Sequence, residues 1–105
     1  MFTEIVENCI NKTIECHVTC LETFDDEMDC IGSNSMFCKI LMDTARMTLY
    51  ANESLLLDSV YIKDICELCA QICLDCSEKC EEFGYKECAR KCNECAGTCE
   101  TVAHG

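Results

Sequence analysis

The sequence predicts an all-α protein, an antiparallel up-down-up-down four-helix bundle, and three observations carry that prediction. Proline is absent and glycine occurs four times in 105 residues, so little interrupts helix propagation. Nine cysteines, Cys66, Cys69, Cys73, Cys76, Cys80, Cys88, Cys92, Cys95 and Cys99, recur at steps of three and four with one break at Gly84, the spacing that keeps side chains on one helix face. Turn-forming residues cluster at only a few places, which divides residues 1–105 into four segments of one small domain.

The first helix is expected from Thr3 to about Phe24, with Thr3 as N-cap and Glu4 and Glu7 favouring its positive end. Cys9, Cys16 and Cys20 share its inner face, and Thr13 interrupts them with a hydroxyl. An acidic connector, 25–30, then leads to Gly32-Ser33-Asn34-Ser35, which suits a helix start. Cys30 sits off every stripe. The second helix is expected over Met36 to Ala51, its inner face running through Cys38, Met42, Ala45 and Leu49. Residues 52–59 read as a link ending in an N-cap at Asp58-Ser59. The third helix follows to Phe83, with Gly84 as a left-handed C-cap, and the fourth spans Tyr85 to Val102. The Cys-Ala-x-x-Cys theme at 69–73 and 95–99 suggests that two similar hairpins built the bundle.

Twenty acidic against eight basic side chains give a net charge of -12, which excludes nucleic acid and anionic membrane surfaces as partners. The amino-terminal residues show no secretory pattern and no membrane span is evident, so a reducing cytoplasm is expected, where dense cysteine points to metal or redox chemistry rather than disulfides. A bundle normally places leucine on its core stripes; nine cysteines there would forgo roughly 1–2 kcal/mol of burial each. Sulfur at those positions therefore has a chemical purpose.

That purpose is soft-metal binding. Residues i and i+4 of a helix hold their Cβ atoms about 5–6 Å apart, beyond ordinary disulfide reach. Zinc favours closed tetrahedral knuckles, and iron-sulfur clusters need thiolates folded around an inorganic core. Cu(I) is soft and can sit between two or three sulfurs, and exchanging one thiol proton for one Cu(I) leaves the interior's charge unchanged. Multiple Cu(I) ions per chain are expected, held by Cys9, Cys16, Cys20, Cys38, Met42, Cys66, Cys69, Cys73, Cys76, Cys80, Cys88, Cys92, Cys95 and Cys99. Ile5, Leu41, Ile65 and Leu74 should pack beside the stripe. His17, on the stripe's edge, is read as a surface residue and His104 as part of a fraying terminus. No catalytic residues are recognised, so the protein is not read as an enzyme; the alternatives are an iron-sulfur or thiol-redox electron-transfer protein, or a zinc buffer.

The runs 64–80 and 88–99 resemble the paired cysteine helices of the cysteine-rich four-helix-bundle copper storage proteins, in particular their cytosolic branch. The resemblance implies a homotetramer of bundles storing Cu(I) along each axis, and the ions are expected to enter at the open end of each bundle from small carriers or a copper chaperone. It also implies cysteine where this chain has Thr13, Ala45 and Leu49, so a reduced capacity is expected, with copper denser toward the end holding Cys20, Cys38, Cys80 and Cys88.

Overall fold

The computed structural model describes residues 2–105 as four α-helices: α1 (Glu4–Met28), α2 (Ser35–Leu56), α3 (Ile62–Glu82) and α4 (Lys86–His104). The described residues contain no strand. Each helix packs against its two neighbours in the order α1, α2, α3, α4 and back to α1, with α1 opposite α3 and α2 opposite α4. The result is a rod of 46 × 19 × 18 Å, and the three short connections make successive helices antiparallel.

Thr3 caps α1 as expected, its Oγ1 accepting the Val6 amide at 3.3 Å. The helix then continues one turn past Phe24, through most of the acidic stretch expected to be a connector. Nothing in that stretch breaks a helix before Gly32, whose φ of +79° only glycine adopts freely. Glu27 also gains two partners there: its Oε2 accepts the Asn34 amide at 3.0 Å and its Oε1 the Tyr85 hydroxyl at 2.9 Å.

The next connection corrects the sequence reading more sharply. Asp58-Ser59 does not cap the start of α3; it closes the end of α2, which runs to Leu56. The Asp58 amide donates to Leu55 O at 3.3 Å and the Ser59 amide to Ser54 O at 3.0 Å, with Asp58 at φ 52°. This is the paired bond pattern of a Schellman terminus, with aspartate in the left-handed position that glycine usually takes. Gly84, at φ 85°, closes α3 the same way: its own amide reaches Glu81 O and the Tyr85 amide reaches Cys80 O. The two Cys-Ala-x-x-Cys copies lie on α3 and α4, so they relate the two helices of one hairpin rather than one hairpin to the other. His104 is the last residue of α4.

The inner face of α2 is also rotated from expectation. It runs through Leu41, Thr44, Ala45, Thr48, Asn52 and Leu55, all buried, whereas Leu49 is exposed and Met42 half-buried. Met42 follows Leu41 by one residue, about 100° around the helix, which takes it off the axis. For the same reason Leu74, one residue past Cys73, is exposed, as is Ile5 in the first turn of α1; Leu41 and Ile65 are buried.

Candidate metal centre

Three helices line the axis with sulfur. Cys9, Cys16 and Cys20 of α1, Cys66, Cys69, Cys73, Cys76 and Cys80 of α3, and Cys88, Cys92, Cys95 and Cys99 of α4 are each no more than 1% exposed. All fourteen cysteines are free thiols, and Cys30 alone is exposed. The helices bring these sulfurs together because antiparallel packing of α1 against α4, and of α4 against α3, runs stripes of equal spacing past one another. Cys9 thus meets Cys99 at 3.7 Å, Cys16 meets Cys92 at 3.6 Å, and Cys20 meets Cys92 and Cys88 at 3.9 and 3.8 Å. Along the helices themselves, Cys16–Cys20, Cys69–Cys73 and Cys76–Cys80 lie at 4.0, 4.0 and 3.9 Å.

Four buried trios have all three sulfurs within 4.8 Å of one another: Cys9, Cys66 and Cys99; Cys69, Cys95 and Cys99; Cys16, Cys73 and Cys95; and Cys16, Cys20 and Cys92. They share members, so they form a connected ladder from one end of the bundle to the other. Triplets occur at the Cys9 end as well as toward Cys20.

The fourth wall is different. On the α2 side the core is closed by Leu41, Ala45, Thr44, Thr48 and Asn52. Thr44 and Thr48 donate their hydroxyl protons to Ile40 O and Thr44 O of their own helix, at 2.7 and 2.8 Å. Thr13 does the same to Cys9 O at 2.9 Å, and the Asn52 side-chain amide donates to Thr13 Oγ1 at 3.2 Å and Ile10 O at 2.9 Å. Among the described residues no buried side-chain nitrogen or oxygen lacks a partner. Cys38 stands at the edge of this wall and lines a surface groove with Phe24 and Met42, outside the four trios. His17 is half-buried against α2, its Nδ1–H donating to Ala45 O at 2.6 Å.

Thiol–thiol hydrogen bonding divides the row into two classes. Cys9 is drawn down to about 4, chiefly by the bond from Cys66 and then from Cys99, and Cys76 to about 5 by bonds from Cys20 and Cys80. Cys16, Cys69 and Cys88 shift the same way, led by Cys20, Cys73 and Cys20 respectively. Their neighbours hold protons more tightly: the bond to Cys9 and then burial push Cys66 up to about 12. Cys92, Cys95 and Cys99 also rise, the first two led by Cys16 and the third by Cys66. An accepting thiolate is stabilised by its donors, while burial opposes charge at every position.

One end of the row is closed by residues the sequence reading did not single out. Phe37 stacks on Phe83 with ring centroids 4.7 Å apart, and Tyr85 tilts against Phe37 at 5.7 Å. Glu27 ties Tyr85 to the α2 N-terminus beside them. A single aromatic on each of three segments has no period, so its convergence is invisible without the fold.

Fold and site together define a class: a helical bundle whose interior is a store of thiols for soft metal ions. A sequence profile of the Csp copper storage proteins matches residues 2–104, and the chain belongs to this family. It is 29% identical over 102 residues to the uncharacterized cysteine-rich protein YhjQ of Bacillus subtilis strain 168, covering 92% of this chain and 94% of that one. Apo copper storage protein 3 from Bacillus subtilis superposes with a TM-score of 0.87 at 29% identity, over 92% of this chain and 97% of that one. Cu(I)-bound BsCsp3 superposes at 0.89 with 28% identity, over 95% and 99%. The Nmul_A1745 protein from Nitrosospira multiformis superposes at 0.92 with 26% identity, over 96% of each chain.

Proposed function

We propose that residues 1–105 act as one copper-storage domain that holds many Cu(I) ions on the twelve thiols of the α1, α3 and α4 faces. The observation that carries this reading is the ladder of buried trios with sulfurs within 4.8 Å. With metal–sulfur bonds of about 2.3 Å, as zinc thiolates have, three sulfurs around one ion lie about 4.0 Å apart and two across it about 4.6 Å. Trio sulfurs within 4.8 Å of one another reach that range, and the shorter contacts of 3.6 to 4.0 Å need open by a few tenths of an ångström at most to meet its lower end. They also leave no room for the inorganic core of an iron-sulfur cluster, and straight helices do not wrap four ligands around a zinc ion.

Storage needs no bond chemistry beyond exchange of thiol protons for copper, and the chain is read as a store rather than an enzyme. Free buried thiols suit a reducing cytoplasm, and copper chaperones or small thiol carriers fit as delivery partners. Ile14, Val18 and Leu21 form an exposed apolar stripe on the outer face of α1, which favours self-association, with the homotetramer as the assembly proposed. No helix among the described residues is long and apolar enough to cross a membrane.

Anaerobic titration of the reduced protein with Cu(I) against a competing chelator tests the proposal. Saturation at about 10 to 14 Cu(I) per chain with helicity retained is expected. Saturation at one or two would make the protein a carrier, and acid-labile sulfide in anaerobically isolated material would make it an iron-sulfur protein.

A further inference from the structure

Apolar side chains stand at both ends of the sulfur row. At one end stand Phe37, Phe83 and Tyr85, with Glu27 bonded to the Tyr85 hydroxyl. At the other, Leu55, Ile65 and Val102 belong to the buried core, Val102 one turn beyond Cys99. A groove between α1 and α4 nevertheless reaches the row from the side. Its floor includes Cys88, and its walls include Thr19, Thr23 and Tyr85. Glu22, Asp25, Asp26 and Glu87 stand around it with a single basic residue, Lys86, and the acidic excess raises the local concentration of a cation.

Resting on the storage reading, we propose that Cu(I) enters and leaves through this lateral groove, with Cys88 as the first protein ligand. Cys88 lies in the first turn of α4, where the helix's free amide groups favour a thiolate over a thiol. Its sulfur is 3.8 Å from Cys20, which is 3.9 Å from Cys92, which is 3.6 Å from Cys16. Cys16 joins the trio with Cys73 and Cys95, Cys95 the trio with Cys69 and Cys99, and Cys99 the trio with Cys9 and Cys66. A copper ion can therefore travel the whole bundle by short ligand exchanges. At the mouth, a Cu–S bond to the Cys88 thiolate forms as one bond to the carrier's ligand breaks, and the freed carrier ligand leaves by the groove; protons are released where copper passes on to sulfurs that are still thiols. Copper stays in the +1 state throughout.

The test separates entry from capacity. Reduced protein is mixed anaerobically with Cu(I) as its acetonitrile complex, and the ultraviolet absorption of copper thiolate is followed by stopped flow. The Thr19 hydroxyl bonds to Glu15 O of its own helix, so Thr19→Trp obstructs the groove without replacing a sulfur. Gly97→Trp fills the α1–α4 seam near the opposite end, where a Cβ meets nothing within 4 Å. Thr19→Trp should slow loading on the order of tenfold or more, the scale on which association rates vary among mutants of one interface, with an unchanged endpoint, while Gly97→Trp loads like the wild type. Cys88→Ser should show the same slowing. Wild-type rates in either Thr19→Trp or Cys88→Ser, or equal slowing in Gly97→Trp, would overturn the lateral route. The wild-type endpoint in the same traces tests storage itself, so the two readings fail by different observations.

Discussion

Glu27→Ala is the most informative perturbation of the scaffold. The side chain is 6% exposed and joins three segments: its own helix end, the start of α2 through the Asn34 amide, and the start of α4 through the Tyr85 hydroxyl. Hydrogen bonds to a charged group contribute about 1.5–3 kcal/mol each. Tyr85 is half-buried and Asn34 exposed, so water replaces part of both bonds and the lower figure applies to each. The expected loss is then about 3 kcal/mol. In a protein of this size that lowers Tm by about 10 °C or more.

Urea denaturation of the metal-free, reduced protein measures the loss directly. Tyr85→Phe removes one of the two bonds and should cost about 1–1.5 kcal/mol. The double variant should then cost less than the sum of the two single changes, because both remove the same contact. A Glu27→Ala variant within about 0.5 kcal/mol of wild type, the range of ordinary surface substitutions, would refute the assignment of Glu27 as the tie across this end. So would strict additivity with Tyr85→Phe.

Copper affinity should fall with pH, because each Cu(I) displaces protons from sulfurs such as Cys66, held at about 12, that are still thiols at neutrality. Competition titrations should show a loss of about tenfold per pH unit for each proton displaced, and a flat profile between pH 8 and 6 would contradict thiolate ligation. Cys38→Ser and Met42→Leu should each leave the Cu(I) endpoint unchanged, since both residues line the groove beside Phe24 rather than the row; loss of one ion in either titration would place them in the store. Thr13→Cys, buried between Cys9 and Cys16, should add capacity of about one Cu(I) while costing about 1 kcal/mol for the bond from Asn52, read by endpoint titration and urea denaturation. Glu15 pairs with Lys91 and Glu94 with Lys12 across α1 and α4, and both carboxyls titrate below their ordinary 4.5. Their contribution is present above that pH and lost as pH falls through the lowered values, an effect of at most about 1 kcal/mol per exposed pair, visible as a lower Tm in acid.

The sulfur row was legible because a helix converts spacing into direction. Steps of three and four put twelve cysteines on three inner faces, and each of those faces is buried. α2 was harder to read because its apolar and hydroxyl residues fill several helical directions, so Met42 and Leu49 looked as eligible as Leu41 and Thr48. Asp58 misled for a physical reason: the side chain that caps a helix start also tolerates the left-handed turn that ends one. Only the amide bonds of Asp58 and Ser59 back to Leu55 and Ser54 distinguish the two. The Glu27–Tyr85 tie spans 58 residues, and no local pattern announces it.

The different character of α2 shapes the store itself. Thr13, Thr44 and Thr48 spend their hydroxyl protons on carbonyls of their own helices, and what remains toward the core is methyl surface and hard oxygen, neither of which competes with thiolate for a soft ion. In the proposed store copper is thereby confined to a trough bounded by α1, α3 and α4, where the steps between neighbouring sulfurs are short. A wall without ligands also keeps its own packing, through Leu41, Ala45 and Leu55, whatever the occupancy of the trough. The bundle can then fill and empty without exchanging the contacts that hold α2 to its neighbours, which is what a reversible store requires and a metal-nucleated fold lacks.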